Sequence, residues 1–407
     1  MFSLLNSKKI RSWCLFDFGI SSYPTLILTF FYGAFYAKTI SSDPNVGTSL
    51  WGFALSAASI LCFLLLSFIL ISGRNFFRNI KIGFFKFFFY LMIFFTFGLF
   101  FFDKGSNQFL PLFFIVISFV SFEIVNLFYN LSLSKIRKKN TTGALSNLGW
   151  AFGYLGGLAS LFLVFMLLKF SDESFKIFNI KVFLLIGPFV AIWSALYGFS
   201  LFNVMKEVHF KSPNILELIK NVRSRGISNF LISYFFFNNA VVSIFAFASM
   251  IAAFIFGLSE SEILFLGVSI NFFGIIGCLV IGSVEDKIGS LNAVKICISG
   301  LLILTLILYF TESYYSFWVI ALLVGFFIGP IQASSRSFLV QKINAQNQMA
   351  AFSLYSMFGN LCSILGPFLV GLTIQLTDSI RFGIIVIPIF LFFSLISFLK
   401  LFSKFNV

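Results

Sequence analysis

Two carboxylates, Asp17 and Glu123, stand inside long apolar runs. A charged side chain in hydrocarbon costs on the order of 3 kcal/mol on insertion scales, so both are expected to face a protein interior. Asp17 heads a stripe with Ser21 and Thr25 at successive spacings of four, all on one helix face. That position suits an interhelical anchor near the end of a span, and it suits a substrate-binding or coupling role equally. Glu123, Asn126 and Asn130 fall at i, i+3 and i+7, within a narrow arc of one helix. A carboxylate and two amides on one face can bind an ammonium group or relay a proton. The same residue types also make a polar packing seam between helices.

Later apolar runs carry amides and hydroxyls rather than acids. Asn238 and Asn239 interrupt one run, with Ser243 a turn beyond Asn239. Tyr355, Ser356, Asn360 and Ser363 form a comparable face before Gly366–Pro367. Gln332 and Arg336 stand at i and i+4 after Gly329–Pro330, a pair expected to break or kink the helix. For Arg336, gating, anchoring and substrate contact are all open. Gly149, Gly153 and Gly157 repeat every four residues and make a smooth face for close helix approach. The stretch GSVEDKIG places Gly282, Asp286, Lys287 and Gly289 in an expected loop, where glycines permit a tight turn and Asp286 can meet helix ends or basic partners.

Catalytic groupings are missing from the sequence. The single histidine, His209, lies in a polar loop, and the five cysteines (Cys14, Cys62, Cys278, Cys297, Cys362) are scattered through apolar runs without paired spacing. With no phosphate-binding glycine loop either, no enzymatic, metal or cofactor chemistry is expected.

The elements that must position these residues follow from composition. Of 407 residues, 59% are hydrophobic and 10% charged. The charges gather between apolar runs of about twenty residues, the length a helix needs to cross roughly 30 Å of hydrocarbon. Because lipid satisfies no backbone polar group, such runs must be helices. Twelve are read, from Trp13–Ala37 to Phe382–Leu401, six on each side of the polar stretch Met205–Ile227 with its Lys206, Lys211, Lys220, Arg223 and Arg225. The expected fold is an all-α polytopic membrane protein with twelve transmembrane helices in two pseudo-symmetric six-helix halves, 1–204 and 228–407, joined by a central cytoplasmic loop, 205–227. The basic start before the first run resembles a signal peptide, but the run reaches Ala37, contains Asp17 and lacks a small-residue cleavage site, so a retained span is expected.

A net charge of +14 could suggest nucleic acid, but its distribution argues for a membrane. Lys and Arg concentrate in loops on the side of the N-terminus, including Arg74, Lys135 and Lys138–Lys139. On the other side stand only Lys38, Lys104, Lys169, Lys176, Lys181 and Arg381, among most of the acids, such as Asp172 and Glu173. Lys86 alone falls within a span. That bias places both termini in the cytoplasm.

The chain resembles the major facilitator superfamily, in which a loop motif like GSVEDKIG recurs after the second and eighth helices; the first copy here, around SGRNFFRN, is degenerate. More specifically, LFDFGISSYPTLILTFFYGAFYAK, LSNLGWAFGYLGG, FLISYFFFNNAV, GPIQASSRSFL and FSLYSMFGNLCSILGPFLVGL resemble successive blocks of the vacuolar amino-acid effluxer (autophagy-related) branch and its bacterial relatives. The resemblance implies an alternating-access secondary transporter with a central cavity, in which Asp17, Glu123, Gln332, Ser335 and Arg336 match the family pattern. Two positions depart from it: Asn239 stands where an acid is expected and Asn360 where a lysine is expected. Paired loss of two opposite charges can be nearly neutral where loss of one is not.

The sequence therefore points to a carrier of a small polar solute, with amino-acid efflux and proton coupling as the finer expectations. Export of sugars, drugs or other metabolites, and a non-transporting membrane receptor or scaffold, are the alternatives. Expected partners are a small-molecule substrate, protons and the lipid bilayer, with no nucleic acid, in a monomer of a bacterial inner membrane.

Overall fold

The computed structural model describes residues 1–71, 82–137, 140–171, 176–177, 180–205, 227–344 and 347–405. Outside them lie residues 206–226 of the central loop with His209, the SGRNFFRN motif copy, Lys138–Lys139 and Asp172–Glu173.

Twelve helices are long and apolar enough to cross a membrane. The first six are α1 (Lys8–Ile40), α2 (Val46–Leu70), α3 (Ile82–Phe101), α4 (Phe109–Ile136), α5 (Thr142–Lys169) and α6 (Val182–Phe202). The last six are α7 (Ile227–Phe254), α8 (Glu262–Ile288), α9 (Ser290–Phe310), α10 (Tyr314–Lys342), α11 (Gln348–Thr377) and α12 (Ile380–Lys400). Several extend past the apolar runs, because a helix that crosses hydrocarbon continues into the interface wherever polar residues tolerate it. Alternation puts the ends of even-numbered helices and the starts of odd-numbered ones at the end of the bundle that holds the N-terminus.

Local sequence sets the helix ends and irregularities. At the start of α8, the Ser259 side chain and the Glu262 side chain cap one another's backbone N–H groups reciprocally. The α8–α9 connection is a single residue, Gly289, with φ of 86°. A side chain there would be strained, so glycine is what makes so short a turn possible. Pro24 lies in a stretch of α1, Tyr23–Phe30, that widens into π turns. Pro330, expected to break or kink its helix, sits inside a continuous α10. Its missing N–H frees the Phe326 carbonyl, which lies where a side chain at Gly277 of α8 would be, so α8 and α10 approach closely.

Helix α5 packs against α8 and α10, α2 against α11, and α4 more lightly against α10 and α11, and these contacts join the first six spans to the last six. The hydrogen bonds across this boundary among the described residues lie at mid-depth or nearer the N-terminal end.

At the opposite end, a short hairpin (β1, Lys176–Ile177; β2, Ile180–Lys181) brings Lys181 to Asp103, with Nζ 2.6 Å from Oδ2 and 2.8 Å from Oδ1. Partial burial pushes the Asp103 carboxyl up. Hydrogen bonds from Lys181 and the Lys104 backbone, with the lysine's charge, outweigh it and hold the carboxyl below the usual aspartate range. The pair therefore adds stability above about pH 3.9 and loses it as pH falls through the depressed folded value. Both side chains are about one-third exposed (34% and 36%), so solvent screening limits the effect. Lys181→Ala is expected to cost under about 1 kcal/mol at pH 7 and nothing once Asp103 is protonated. Thermal unfolding of both proteins across pH would check this; a loss that persists in acid would assign the effect to packing instead.

Candidate transport site and the closed end of the bundle

The first turn of α5 leaves backbone N–H groups without partners inside its own helix. Asp286, in the last turn of α8, supplies acceptors: its Oδ1 accepts from Gly143 N at 2.8 Å and its Oδ2 from Ala144 N at 2.9 Å. A carboxylate at a helix N-terminus also meets the positive end of the helix dipole. Of the roles open to Asp286, the structure displays the helix-end one. The expected loop is corrected here: Gly282, Asp286 and Lys287 lie within helical α8, and only Gly289 makes the turn. Gly282 serves close approach instead, since a Cβ there would come 2.5 Å from Asn147 Cβ. Lys287 is exposed.

Beside Asp286 stands Glu285, fully buried. Asn147 Nδ2 donates to its Oε2 at 2.6 Å, Ser334 Oγ donates to the same oxygen at 2.7 Å, and Ser337 Oγ donates to Oε1. Buried carboxylates need this many donors, because each unsatisfied oxygen is expensive away from water. The fit depends on Gly143, where a Cβ would come 2.6 Å from the Glu285 carboxyl carbon.

Arg336 of α10 completes the clasp. Its Nε donates to Ser146 Oγ at 3.0 Å, one terminal nitrogen to Ser146 O at 2.8 Å, and the other to Asn130 Oδ1 at 3.0 Å. Its guanidinium also lies over the rings of Trp13 (4.9 Å) and Tyr129 (5.1 Å). Ser146 Oγ in turn donates to Ala333 O at 2.7 Å. One arginine from the last six spans is thus bound to α1, α4 and α5, in a planar, multidentate and stacked arrangement that lysine could not reproduce.

Tyr129 connects this arginine to Asp17, donating its hydroxyl to Asp17 Oδ2 at 2.8 Å; Ser21 Oγ approaches Oδ1 at 3.4 Å. The α5 glycines lie against the α1 stripe. A Cβ at Gly153 would come 3.1 Å from Asp17 Oδ1 and 2.9 Å from Ser21 Oγ, and one at Gly157 would come 2.7 Å from Thr25 Oγ1. Small residues on α5 thereby let polar residues of α1 sit between helices.

Glu123 lies at mid-depth, near the centre of α4. Asn360 Nδ2 of α11 donates to its Oε2 at 3.3 Å. Glu123, Asn126 and Asn130 are each partly accessible, as is Gln332, whereas the residues between them on α4 are buried. Gln332 Nε2 donates to Asn238 Oδ1 at 2.7 Å, and Gln332 Oε1 accepts from the Tyr355 hydroxyl at 3.1 Å; Tyr355 stacks on Tyr234 with centroids 3.9 Å apart. Asn239 bonds Cys362 Sγ and Phe235 O, while Asn360 also bonds Ser356 O. The two amides that depart from the family pattern thus bond different partners, and Asn360 faces Glu123.

The structure brings the sequence-derived candidates into three groups: Asp17 and Asn130 with Arg336, Glu123 with Asn360, and Asn238 with Gln332 and Tyr355. Asn126 shares the accessible α4 face, and Asn239 sits apart against Cys362. Sequence reasoning missed Glu285, Asn147, Ser146, Trp13 and Tyr129. Glu285 is an acid beside Asp286 in a charged run at the end of a span, where it reads as solvated. A usable signal was the density of small polar residues in SNLGW and ASSRS, segments too polar for lipid contact.

The model of the family described as vacuole effluxer Atg22 like matches residues 131–403. The chain belongs to this family. Over 387 residues it is 24% identical to the MFS-type transporter YxiO of Bacillus subtilis, covering 91% of this chain and 89% of that protein. It is 21% identical to autophagy-related protein 22 of Cryptococcus neoformans, covering 62% of this chain and 49% of the fungal protein, so the likeness spans about half of that relative. In fold, this Atg22-like chain is similar to a bacterial homologue of the iron transporter ferroportin in an outward-facing state, with a TM-score of 0.75, 14% identity and coverage of 97% and 98% of the two chains. The fold is that of the major facilitator superfamily, and the chain is an MFS-type transporter.

The α5 cap gives a direct prediction. Asp286→Ala should cost about 1–2 kcal/mol locally, as loss of a helix cap does, and speed amide exchange at Gly143 and Ala144 roughly 5- to 30-fold. Hydrogen–deuterium exchange would measure it; unchanged protection would show that these amides are held by something other than the carboxylate.

Proposed function

We propose that this Atg22-like protein is a secondary active transporter that moves a small polar solute by alternating access between its two six-helix halves, 1–204 and 228–407. The observation that carries the reading is a partly accessible polar face at mid-depth, Glu123, Asn126 and Gln332, directly above an end closed by side chains of both halves. A midplane site at the boundary of two repeats, with one side shut, is what alternating access requires. The positive-inside bias supports a closed cytoplasmic end, with both termini in the cytoplasm of a bacterial cell and the solute path open outward. Opening inward would require Arg336 to leave Asn130 and Ser146, and Asp286 to release α5.

Amino acids are the solute class favoured by the resemblance to vacuole effluxers, and efflux is the favoured direction. Glu123 and Asp17 are the two carboxylates placed to couple a proton to the cycle, one beside the path and one joined through Tyr129 to the Arg336 clasp. Reconstituted protein should take up labelled amino acids saturably, faster with an imposed proton gradient. Glu123→Gln should reduce gradient-driven uptake roughly tenfold or more, the loss of one charge-assisted hydrogen bond. Uptake unaffected by pH and membrane potential would remove proton coupling, and no uptake of any amino acid by folded protein would remove the solute class.

A further inference from the structure

We infer that the solute is recognised through an ammonium group received by Glu123, and that a carboxylate on the solute contributes nothing to its binding. This rests on the transport reading above. Glu123 is a mid-depth carboxylate with one hydrogen bond among the described residues, from Asn360 at 3.3 Å, which is long for a bond to a charged acceptor, and its Oε1 has no hydrogen-bond partner among them. Glu285, the fully buried carboxylate at this boundary, has three donors over its two oxygens. Acids within a membrane span are ordinarily satisfied inside the protein, so the deficit at Glu123 marks a place where a partner arrives from outside the chain. Unlike Glu285, Glu123 is partly accessible, as a receiving group must be.

The surroundings define that partner. Around Glu123 stand neutral amides, Asn126 and Asn360, and the hydroxyl of Tyr23, which is engaged with Ser118 at 2.7 Å. The basic side chain bonded to this face is Arg336, and it is unsuited to a solute carboxylate on two counts. It is 3% exposed, with hydrogen bonds to Asn130 and Ser146 and aromatic rings of α1 and α4 beside it. Its partner Asn130 lies seven residues along α4 from Glu123, about 10 Å at 1.5 Å per residue, whereas the ammonium and carboxylate of an α-amino acid are far closer together. An amino acid seated on Glu123 would therefore leave its carboxylate to amides alone. Charge complementarity favours a monocation: an amine, or an amino acid whose carboxyl is neutralised.

The test uses the full chain in detergent at fixed pH, with glycine, leucine and phenylalanine as probes, beside their carboxamides and their N-acetyl derivatives. Ligand-dependent thermal stabilisation gives Kd. The carboxamides should bind at least as tightly as the free amino acids, and the N-acetyl derivatives at least about tenfold more weakly. Glu123→Gln, which removes the charge, and Asn360→Lys, which occupies it, should each abolish carboxamide binding; their unliganded melting temperatures serve as the folding control. Equal binding of N-acetyl derivatives, or carboxamide binding that survives Glu123→Gln, overturns the inference. If no ammonium probe binds but reconstituted protein carries another labelled solute, the inference falls and the carrier stands. If the protein neither binds the probes nor carries any solute, the transport reading falls with it.

Discussion

The structure depends on one constraint: inside a membrane, every polar group must find its partner within the protein. The first turn of α5 shows what this demands. The free N–H groups of Gly143 and Ala144, the Ser146 hydroxyl and the Asn147 Nδ2 group are engaged by α8 or α10, from the other half of the chain. The starts of α8, α10 and α12 are capped locally, by Ser259 with Glu262, by Ser313 and by Ser379. At α5 the partners lie about 140 to 190 residues away, so satisfying the helix end and closing the bundle are the same event.

Arg336 extends this closure sideways. By bonding Asn130 and Ser146 and stacking on Trp13 and Tyr129, it ties α10 to three helices of the first half. Tyr129 passes the contact on to Asp17, so the acid of α1 senses the arginine through an intervening hydroxyl instead of a direct ion pair. Separating the halves at this end breaks several hydrogen bonds together, a discrete change between two packed arrangements and not a gradual one. Glycines make the arrangement sterically possible: Gly143 under Glu285, Gly149 under Trp13 and Tyr129, and Gly153 beside Asp17 each occupy positions that a Cβ would block.

Mid-depth differs in kind. The buried Glu285 at the closed end has donors on both oxygens, while Glu123 has one amide among the described residues. The last six spans also carry a neutral network, Asn238, Gln332 and Tyr355, whose members bond one another. The amides of that network hold one another's geometry, whereas Glu123 rests on a single neutral donor and on no cation among the described residues.

The sequence alone determined the membrane setting, the twelve spans and the interior placement of Asp17 and Glu123. Each follows from a local quantity: the length of an apolar run, or the cost of one charge in hydrocarbon. Tertiary structure alone decided the pairings and the burial of Arg336 between helices. Asn360 meets Glu123, 237 residues away, and Arg336 meets Asn130, 206 residues away, because helix faces set by packing bring them together. Nothing in the charged run around Asp286 distinguishes the buried Glu285 from its partly exposed neighbour; the approach of Gly143 does. For the same reason GSVEDKIG reads as a loop in isolation yet stays helical to Ile288, since Asp286 and Glu285 find donors on α5 and α10 that solvent would otherwise have to supply. What a residue costs in lipid is written in its own run, whereas the partner that offsets the cost belongs to another helix and is known only once the helices are packed.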